Sequence, residues 1–388
     1  MSENMIYLQD KNGVGFLNLV FLLGRAYDED TLGLSNFASG VLEEGIDDEF
    51  IKELERRGIV LECKTGFNTL TIKLIALSEH FAYATHKLKE LLLSPNTSDK
   101  IITRVKNNIN ALIEYNQSDF NHLAKVGFNE KYFEHKDFIG GVIGDKKSVN
   151  SINKTHLNDY FARLIKSPCM MIAGGEIDIK ALDELKSFLN LSKFELKSYQ
   201  ATKPFISSMK NKDTKQAYIY FGSEFNASYE DYAKLKIASF VLGEGSFGSR
   251  LMESVRVKNG LAYSVYGGMD IGENYSRFFG ALQTKCENAQ KSIDIVKYEV
   301  ENFFTNGISF DEYESTVKFL KGSYVLRYET TSKQMDIKML EMIKNLEDDF
   351  YKKLYQNIDK TSFEEVNDFI KSNPIKNISF FALNNESI

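Results

Sequence analysis

The segment GLSNFASGVLEEG, residues 33–45, groups small side chains on one face of a predicted helix. Its apolar residues recur at helical spacing, which indicates an amphipathic helix with one buried face. Asn36, Ser39 and Gly40 then lie at positions i, i+3 and i+4, on the face turned away from the apolar stripe. Two interpretations are open from this segment alone: the small face allows another element to pack closely, or it is what remains of a chemical site.

A second group that could do chemistry occurs in RVKNGLAY, residues 256–263. Arg256 and Tyr263 bracket the turn at residues 258–260, so the end of a helix and the start of a strand can bring both side chains to one point. Guanidinium and phenol groups both donate hydrogen bonds at neutral pH. The ordinary alternative is an arginine in a surface salt bridge and a tyrosine in the core.

The composition narrows the class of protein. The chain has 388 residues, 43% of them hydrophobic, and a formal net charge of −6. This length favours two domains over a single core. The negative charge argues against nucleic acid as the main partner, because neutralising phosphates requires a basic surface. Three widely spaced cysteines, Cys63, Cys169 and Cys286, indicate buried thiols in a reducing compartment rather than disulfides.

The longest early apolar run begins at Val14 and is interrupted by Gly15 and Asn18. It lacks a basic leader and is too short to cross a bilayer. We therefore expect no membrane span and a cytoplasmic location, with a periplasmic location as the alternative if a leader has been removed.

The apolar pattern predicts an α+β chain in which strands and helices alternate. The first strand, near residues 6–10, should form a hairpin with the apolar run after it, because Asn12-Gly13 supplies the positive φ angles of a tight turn. The segment CMMIAGG, residues 169–175, is typical of a buried strand.

Helical periodicity is clear in three further segments. Helices are expected over residues 79–93 and about 98–115, with Pro95 ending the first of them. Residues 322–343 are rich in Met and Tyr at helical spacing, so we expect this tract to fill space between a helix and a sheet.

The second half of the sequence repeats the first. VLEEG at residues 41–45 returns as VLGEG at residues 241–245, and ELERRGIVLECKTGF returns as ESVRVKNGLAYSVYGG, with Gly58 and Gly260 in corresponding places. Duplication of one domain explains the length of the chain.

The duplication also predicts the domain boundaries. We expect an N-terminal domain over residues 1–195 and a C-terminal domain over residues 215–388. Residues 196–214 between them are polar and contain Pro204, which is typical of a linker.

The segment GEGSFG, residues 243–248, matches the GxGxxG pattern of dinucleotide-binding loops. That fingerprint follows a strand in a βαβ unit, whereas the residues before this segment have the apolar period of a helix. The sequence therefore favours a glycine-rich turn over a nucleotide site.

Together, the small-residue helix of the first copy and the GLAYSVY segment of the second resemble the insulinase/pitrilysin family of zinc metallopeptidases. The resemblance is to its bacterial half-size chains, which are related to the mitochondrial processing peptidase. It implies two duplicated α+β domains, each a mixed sheet packed by helices, that form a half-shell. Two half-shells close around a chamber in which peptides are cut.

The resemblance also identifies the face of the helix at residues 33–45 as an erased zinc site. Active members carry HxxEH on this helix. The two zinc-binding histidines fall on Asn36 and Gly40, and the glutamate that activates water falls on Ser39. The family's third ligand falls near Glu114, which would be a remnant. Because two ligands and the base are replaced, we expect no zinc in this chain.

In the second copy, Arg256 and Tyr263 match the pair that the family projects into the chamber, where it binds substrate backbone and helps hold the oxyanion. The resemblance therefore implies the non-zinc subunit of a heterodimeric zinc peptidase. Its partner would carry HxxEH and the zinc ion, and the complex would cut unfolded peptides. The alternative is a structural or peptide-binding homologue of the same fold that takes no part in proteolysis.

Overall fold

The computed structural model describes residues 4–245 and 248–386, which form two α+β units, each built on a five-stranded mixed sheet. The strands of the first sheet are β1 (Met5–Gln9), β2 (Val14–Phe21), β3 (Val60–Thr65), β4 (Leu70–Leu77) and β5 (Cys169–Gly175). The strands of the second sheet are β6 (Ile206–Lys210), β7 (Gln216–Glu224), β8 (Ala262–Ile271), β9 (Ser276–Lys285) and β10 (Ser379–Asn384).

The two sheets have the same topology. Their strand orders are β1-β5-β2-β4-β3 and β6-β10-β7-β9-β8. In each sheet the first pair in this order is parallel and the other three pairs are antiparallel. Gly58 and Gly260 both have φ near +60°, which favours glycine and supports the alignment of the two copies. The predicted α+β fold with two duplicated domains is confirmed.

Helices cover the sheets in both units. In the first half of the chain they are α1 (Leu34–Glu43), α2 (Phe50–Arg56), α3 (Ser78–Leu93), α4 (Asp99–Asn116), α5 (Phe120–Phe133), α6 (Lys146–Ser151), α7 (Lys154–Lys166) and α8 (Asp183–Lys186). In the second half they are α9 (Tyr232–Ser239), α10 (Arg250–Met252), α11 (Ala289–Asn306), α12 (Phe310–Ser323), α13 (Thr331–Ile343), α14 (Phe350–Gln356) and α15 (Phe363–Ser372). The helices predicted at 33–45, 79–93 and 98–115 correspond to α1, α3 and α4. No helix in the described parts of the chain is long and apolar enough to cross a membrane.

Each unit is assembled from discontinuous segments. The first unit contains Met1–Tyr115, Lys136–Leu196 and Arg327–Asp349, and the second contains the remaining segments. Helix α5 therefore belongs to the second unit and α13 to the first. Strand β6 lies inside the segment predicted as a linker, residues 196–214, and forms one edge of the second sheet. The domain boundaries predicted from the repeat, residues 1–195 and 215–388, describe the two copies in sequence and stay a prediction.

Helix α13 packs on the first sheet through its methionines. Met335 is buried in an apolar cluster with Val20, Met170 and Ile172 of that sheet. Outside this cluster, Asp336 of α13 forms an ion pair with Lys73 at 3.0 Å. The methionines of α13 therefore fill space between helix and sheet, as predicted, and the sheet is that of the first copy. The prediction is wrong for the start of the tract, where residues 324–328 form a short 3-10 segment with Val325 and Leu326 exposed.

Helix α5 packs on the second sheet at a point where two glycines allow close contact. A Cβ added to Gly127 of α5 would lie 2.5 Å from the ring of Phe381, and one added to Gly222 of β7 would lie 3.1 Å from the ring of Phe128. Real Cβ atoms do not come closer than about 3.0 Å to a neighbour, so a larger residue at Gly127 would push helix and sheet apart, and one at Gly222 would crowd Phe128.

The hairpin predicted at the start of the chain is wrong. Strands β1 and β2 both form, and Gly13 between them has the expected positive φ of 71°. They do not pair with each other, because β5 lies between them, parallel to β1 and antiparallel to β2. All seven residues of β5 are buried, so this strand requires a partner on both edges.

The segment before the glycine-rich turn is helical, as predicted. Helix α9 continues into a π-helical turn, Phe240–Glu244, directly before Gly245. A helix in this place does not fit the strand that precedes a dinucleotide-binding loop. Ser246 and Phe247 of the GEGSFG segment lie outside the described residues.

Helix α1 is held at its N-terminus by a buried charged pair. The carboxylate of Asp28 accepts hydrogen bonds from the backbone N–H groups of Gly33 and Ser35, both at 2.8 Å. The guanidinium of Arg25 lies 4.0 Å from the same carboxylate and donates to three backbone carbonyls in the loop at residues 136–141. This pair joins the start of α1 to that loop.

We expect Arg25→Met to destabilise the protein by about 3–5 kcal/mol, because it leaves the buried Asp28 carboxylate without its countercharge and removes the donor to three carbonyls. The measurement is the free energy of unfolding in urea. Arg56→Met is the matched control: Arg56 pairs with Glu49 at 2.6 Å in an exposed position, and its loss should cost less than about 1 kcal/mol. Equal effects of the two substitutions would contradict the role assigned to Arg25.

Candidate functional site

The small face of α1 opens into a cavity of about 770 Å³ in the first unit. Its walls come from α1, the loop after it, α2, edge strand β3 and α4. The lining residues include Asn36, Ser39, Gly40, Glu43, Glu44, Asp47, Asp48, Lys52, Glu55, Cys63, Lys64, Thr65, Arg104, Val105, Asn108 and Ile109. The structure therefore places all three small residues of α1 on the wall of one open space.

The donor set on this wall does not fit a zinc ion. Ser39 is almost fully buried, and its hydroxyl donates to the carbonyl of Asn36 at 2.8 Å. Gly40 has no side chain, and a Cβ added there would lie 3.0 Å from Cγ1 of Val105. Zinc is held by imidazole, thiolate or carboxylate groups. Among the described residues, no group of three or more His, Cys, Asp or Glu side chains could hold a metal.

The structure separates Glu114 from the three small residues. Glu114 does not line the cavity, and its carboxylate pairs instead with Lys146 at 2.7 Å on the surface. The hydrogen bond and charge of Lys146 lower the pKa of Glu114 below its usual value. Asn108, six residues earlier on α4, shares the cavity with Asn36, Ser39 and Gly40.

Sequence reasoning missed Asn108, although the sequence contained a signal for it. Val105 and Ile109 are buried positions of α4, and Asn108 lies between them in the run VKNNI. Positions i, i+3 and i+4 of a helix share one face, so the residue that faces α1 could have been found from this spacing.

Two carboxylates on the cavity wall, Glu43 and Glu44, are engaged in structural contacts. Glu44 pairs with Arg104 of α4. Glu43 accepts a hydrogen bond from the backbone N–H of Cys63 at 2.9 Å. Burial, and the charge of Glu43, raise the pKa of the Cys63 thiol well above its usual value. The thiol therefore stays protonated and is a poor nucleophile and a poor metal ligand.

Arg256 and Tyr263 lie together in the second unit. Arg256 belongs to a π-helical turn, Glu253–Lys258, and Tyr263 lies at the start of β8. The guanidinium carbon of Arg256 is 5.3 Å from the centre of the Tyr263 ring, within the range of a cation–π contact. The turn at residues 258–260 thus brings the two side chains to one point, as expected, while their role stays a prediction.

Tyr263 is not a core residue, which removes the ordinary alternative for this side chain. Its side chain is 78% exposed. The reason is a β-bulge: Ala262 pairs with Thr284 and Ser264 with Gln283, so that Tyr263 is an extra residue between them. Bulges commonly turn one side chain away from the regular alternation of a strand.

Comparison with known proteins gives a consistent result. Residues 151–320 match the family model described as the peptidase M16 inactive domain. A Helicobacter pylori protein named as the non-peptidase homolog YmxG is 34% identical over 391 residues, covering 96% of this chain and 89% of that protein.

Solved structures share the fold over nearly the whole chain. A peptidase M16 inactive domain from Pseudomonas fluorescens superposes with a TM-score of 0.88 at 18% identity, covering 98% of this chain and 95% of that one. A chain of complex III2 from Candida albicans superposes with a TM-score of 0.76 at 14% identity, covering 98% and 93%. The 34% identity to the Helicobacter pylori protein extends over almost the full length of the chain. The chain therefore belongs to the insulinase/pitrilysin (M16) family, in which it is similar to homologues described as inactive.

Proposed function

We propose that this chain is the non-zinc subunit of a heterodimeric peptidase, in which it supplies Arg256 and Tyr263 to the active site of a partner that carries HxxEH. The observation that carries this proposal is the exposure of Tyr263, 78%, in contact with Arg256. A tyrosine ring can bury a large apolar area, and most of that area is exposed to solvent in Tyr263. An exposed phenol beside a guanidinium is arranged to meet a ligand from outside the chain.

The chemistry of the pair fits binding of a peptide carbonyl. The phenol O–H and the guanidinium N–H groups are donors at neutral pH and neither can accept the proton of an attacking water. Two such donors aimed at one oxygen stabilise the negative charge that develops when a carbonyl is attacked. They can bind substrate and stabilise an oxyanion, but they cannot activate water.

The remaining catalytic groups must come from another chain. The cavity beside Asn36, Ser39, Gly40 and Asn108 offers amide and hydroxyl groups where a metallopeptidase needs imidazoles and a carboxylate. We therefore derive no catalytic step from this cavity. Unfolded peptide is the substrate class that a shared site of this kind would act on.

A second candidate is a structural or peptide-binding homologue without any role in proteolysis. It is favoured by the name of the Helicobacter pylori relative, which describes that protein as a non-peptidase. The first candidate function requires a partner that carries HxxEH, and the second does not. Co-purification from the native source followed by mass spectrometry would identify such a partner, and its absence would favour the second candidate.

The first prediction from this proposal concerns metal. The purified chain should hold no stoichiometric zinc and should cleave no peptide. The variant Asn36→His, Ser39→Glu, Gly40→His and Asn108→Glu, with Val105→Ala to make room beside residue 40, should bind one zinc ion, because it restores three ligands and the base. Elemental analysis after dialysis and zinc titration by calorimetry measure both outcomes.

The matched control is the same variant with Asn108 retained, so that only the native Glu114 could act as third ligand. We expect much weaker zinc binding in this control, since Glu114 lies outside the cavity. A tightly bound zinc ion in the unmodified chain would contradict the erased site, and equal affinity in the two variants would contradict the assignment to Asn108.

The second prediction concerns the donor pair in a complex with the HxxEH partner. Tyr263→Phe deletes one hydroxyl, and Arg256→Lys keeps the charge but loses the planar fork of donors. Loss of a donor aimed at an oxyanion typically lowers turnover about 10²- to 10³-fold. We expect Tyr263→Phe to have an effect of this size and Arg256→Lys to retain part of the activity. Steady-state cleavage of an unstructured peptide measures it.

Tyr266→Phe is the matched control, because Tyr266 lies on the same strand and is 48% exposed. It should leave turnover unchanged. All complexes are compared at equal assembly on a sizing column and equal zinc content of the partner. Full activity of both Tyr263→Phe and Arg256→Lys would favour the second candidate function.

A further inference from the structure

The corner that carries Arg256 contains one residue more than its counterpart in the first copy. In the first copy the corner is closed by a hydrogen bond from the N–H of Ile59 to the carbonyl of Leu54, at 2.9 Å. In the second copy the same bond runs from Leu261 to Val255, at 3.0 Å. All four of these side chains are buried. The additional residue is absorbed by the π-helical turn Glu253–Lys258.

The start of the following strand contains a second additional residue. In the first copy, adjacent residues Val60 and Leu61 pair with Ile75 and Leu74 without interruption. In the second copy the bulge places Tyr263 between the paired residues. Each of the two donor residues thus lies in a backbone irregularity that the sister copy lacks. Single-residue π-bulges and β-bulges are frequent at functional sites because they redirect one side chain without disturbing the flanking element.

Side-chain hydrogen bonds hold this irregular corner together. The amide of Asn259 donates to the carbonyl of Ser254 at 2.8 Å, and the hydroxyl of Ser254 donates to the carboxylate of Glu299 on α11 at 2.6 Å. The buried hydroxyl of Thr284 donates to the carbonyl of Leu261 at 2.6 Å. In the first copy the residue in the register position of Thr284 is Ile75, which has no donor.

We propose that Asn259 and Thr284 are positioning residues for the donor pair. Asn259 fixes the π-helical turn that carries Arg256, and Thr284 fixes the carbonyl directly before the bulge that carries Tyr263. Arg57, the counterpart of Asn259 in the first copy, also donates to a backbone carbonyl, that of Glu53, at 3.1 Å, so a side-chain donor at this corner is common to both copies. The bond of Thr284 has no counterpart, because the first copy builds the same strand pair with Ile75 in that register position. The catalytic consequence of Asn259 and Thr284 rests on the proposed function, whereas their effect on the geometry of the pair does not.

The test uses the isolated full chain and nuclear magnetic resonance of its labelled arginine side chains. The Tyr263 ring shifts the side-chain resonances of Arg256 upfield through its ring current, and Tyr263→Leu gives the value without that ring. We expect Asn259→Asp, which removes the amide donor, and Thr284→Val, which removes the hydroxyl at constant shape, to move these resonances toward the Tyr263→Leu value. Asn357→Asp is the matched control, because the Asn357 amide also donates to a backbone carbonyl, that of Lys353, at 2.8 Å.

Wild-type resonances of Arg256 in both Asn259→Asp and Thr284→Val would overturn the proposal. A shift of the same size in the Asn357→Asp control would also overturn it, because the effect would then be general. The outcome is independent of activity. If the two variants displace Arg256 while peptide cleavage by the complex is unchanged, the positioning role holds and the proposed function fails. If Arg256 keeps its wild-type resonances, positioning fails whether or not the complex cleaves peptide.

Discussion

Helix α4 packs so closely against α1 that a Cβ at Gly40 would lie 3.0 Å from Cγ1 of Val105. A histidine at this position, as HxxEH requires, would have to displace the valine. The packing of two core helices therefore favours glycine at this position. Gly40 and Val105 both line the cavity that Asn36, Ser39 and Asn108 share.

The two copies of the domain show what the packing at this position can become. Phe240 corresponds to Gly40, since VLGEG at residues 241–245 aligns with VLEEG at residues 41–45. Its ring packs against that of Phe319 on α12, with centroids 4.9 Å apart. Aromatic packing thus fills the helix–helix contact in the second copy, whereas in the first copy Gly40 allows Val105 to approach the backbone of α1. The same fold has supplied a cavity in one unit and an exposed pair of donors in the other.

Local periodicity was sufficient to predict α1, α3, α4 and the buried strand β5, because one buried face dictates the spacing of apolar residues in each. Pairing between strands was not predictable in the same way. The Asn12-Gly13 turn forms the expected backbone angle, yet β5 enters between β1 and β2 from more than 140 residues away. All seven residues of β5 are buried, so its backbone needs hydrogen-bonding partners on both edges. The residues near the turn do not indicate that β5 will pair with both β1 and β2.

The candidate site was predictable to a similar degree. The face of α1 followed from helical spacing. The residue opposite this face on α4 depends on how the two helices pack, and it is Asn108, not Glu114, that lines the cavity. The exposure of Tyr263 depends on a bulge, which breaks the alternation of AYSV so that Tyr263 and Ser264 are both exposed. The bulge is one additional residue in β8, and it is recognised from the pairing of β8 with β9.

Irregular backbone is concentrated at the donor pair of the second unit and is absent from α1 and β3 of the first. The cavity of the first unit is lined by a regular helix, α1, and a regular strand, β3, whereas Arg256 and Tyr263 both lie where the chain departs from regular structure. Irregular segments cost stability and persist where the surrounding structure over-determines them. Three side-chain hydrogen bonds do so at this corner. If the pair had only a structural role, the simpler corner of the first copy would serve equally well, since it joins the same elements with two residues fewer.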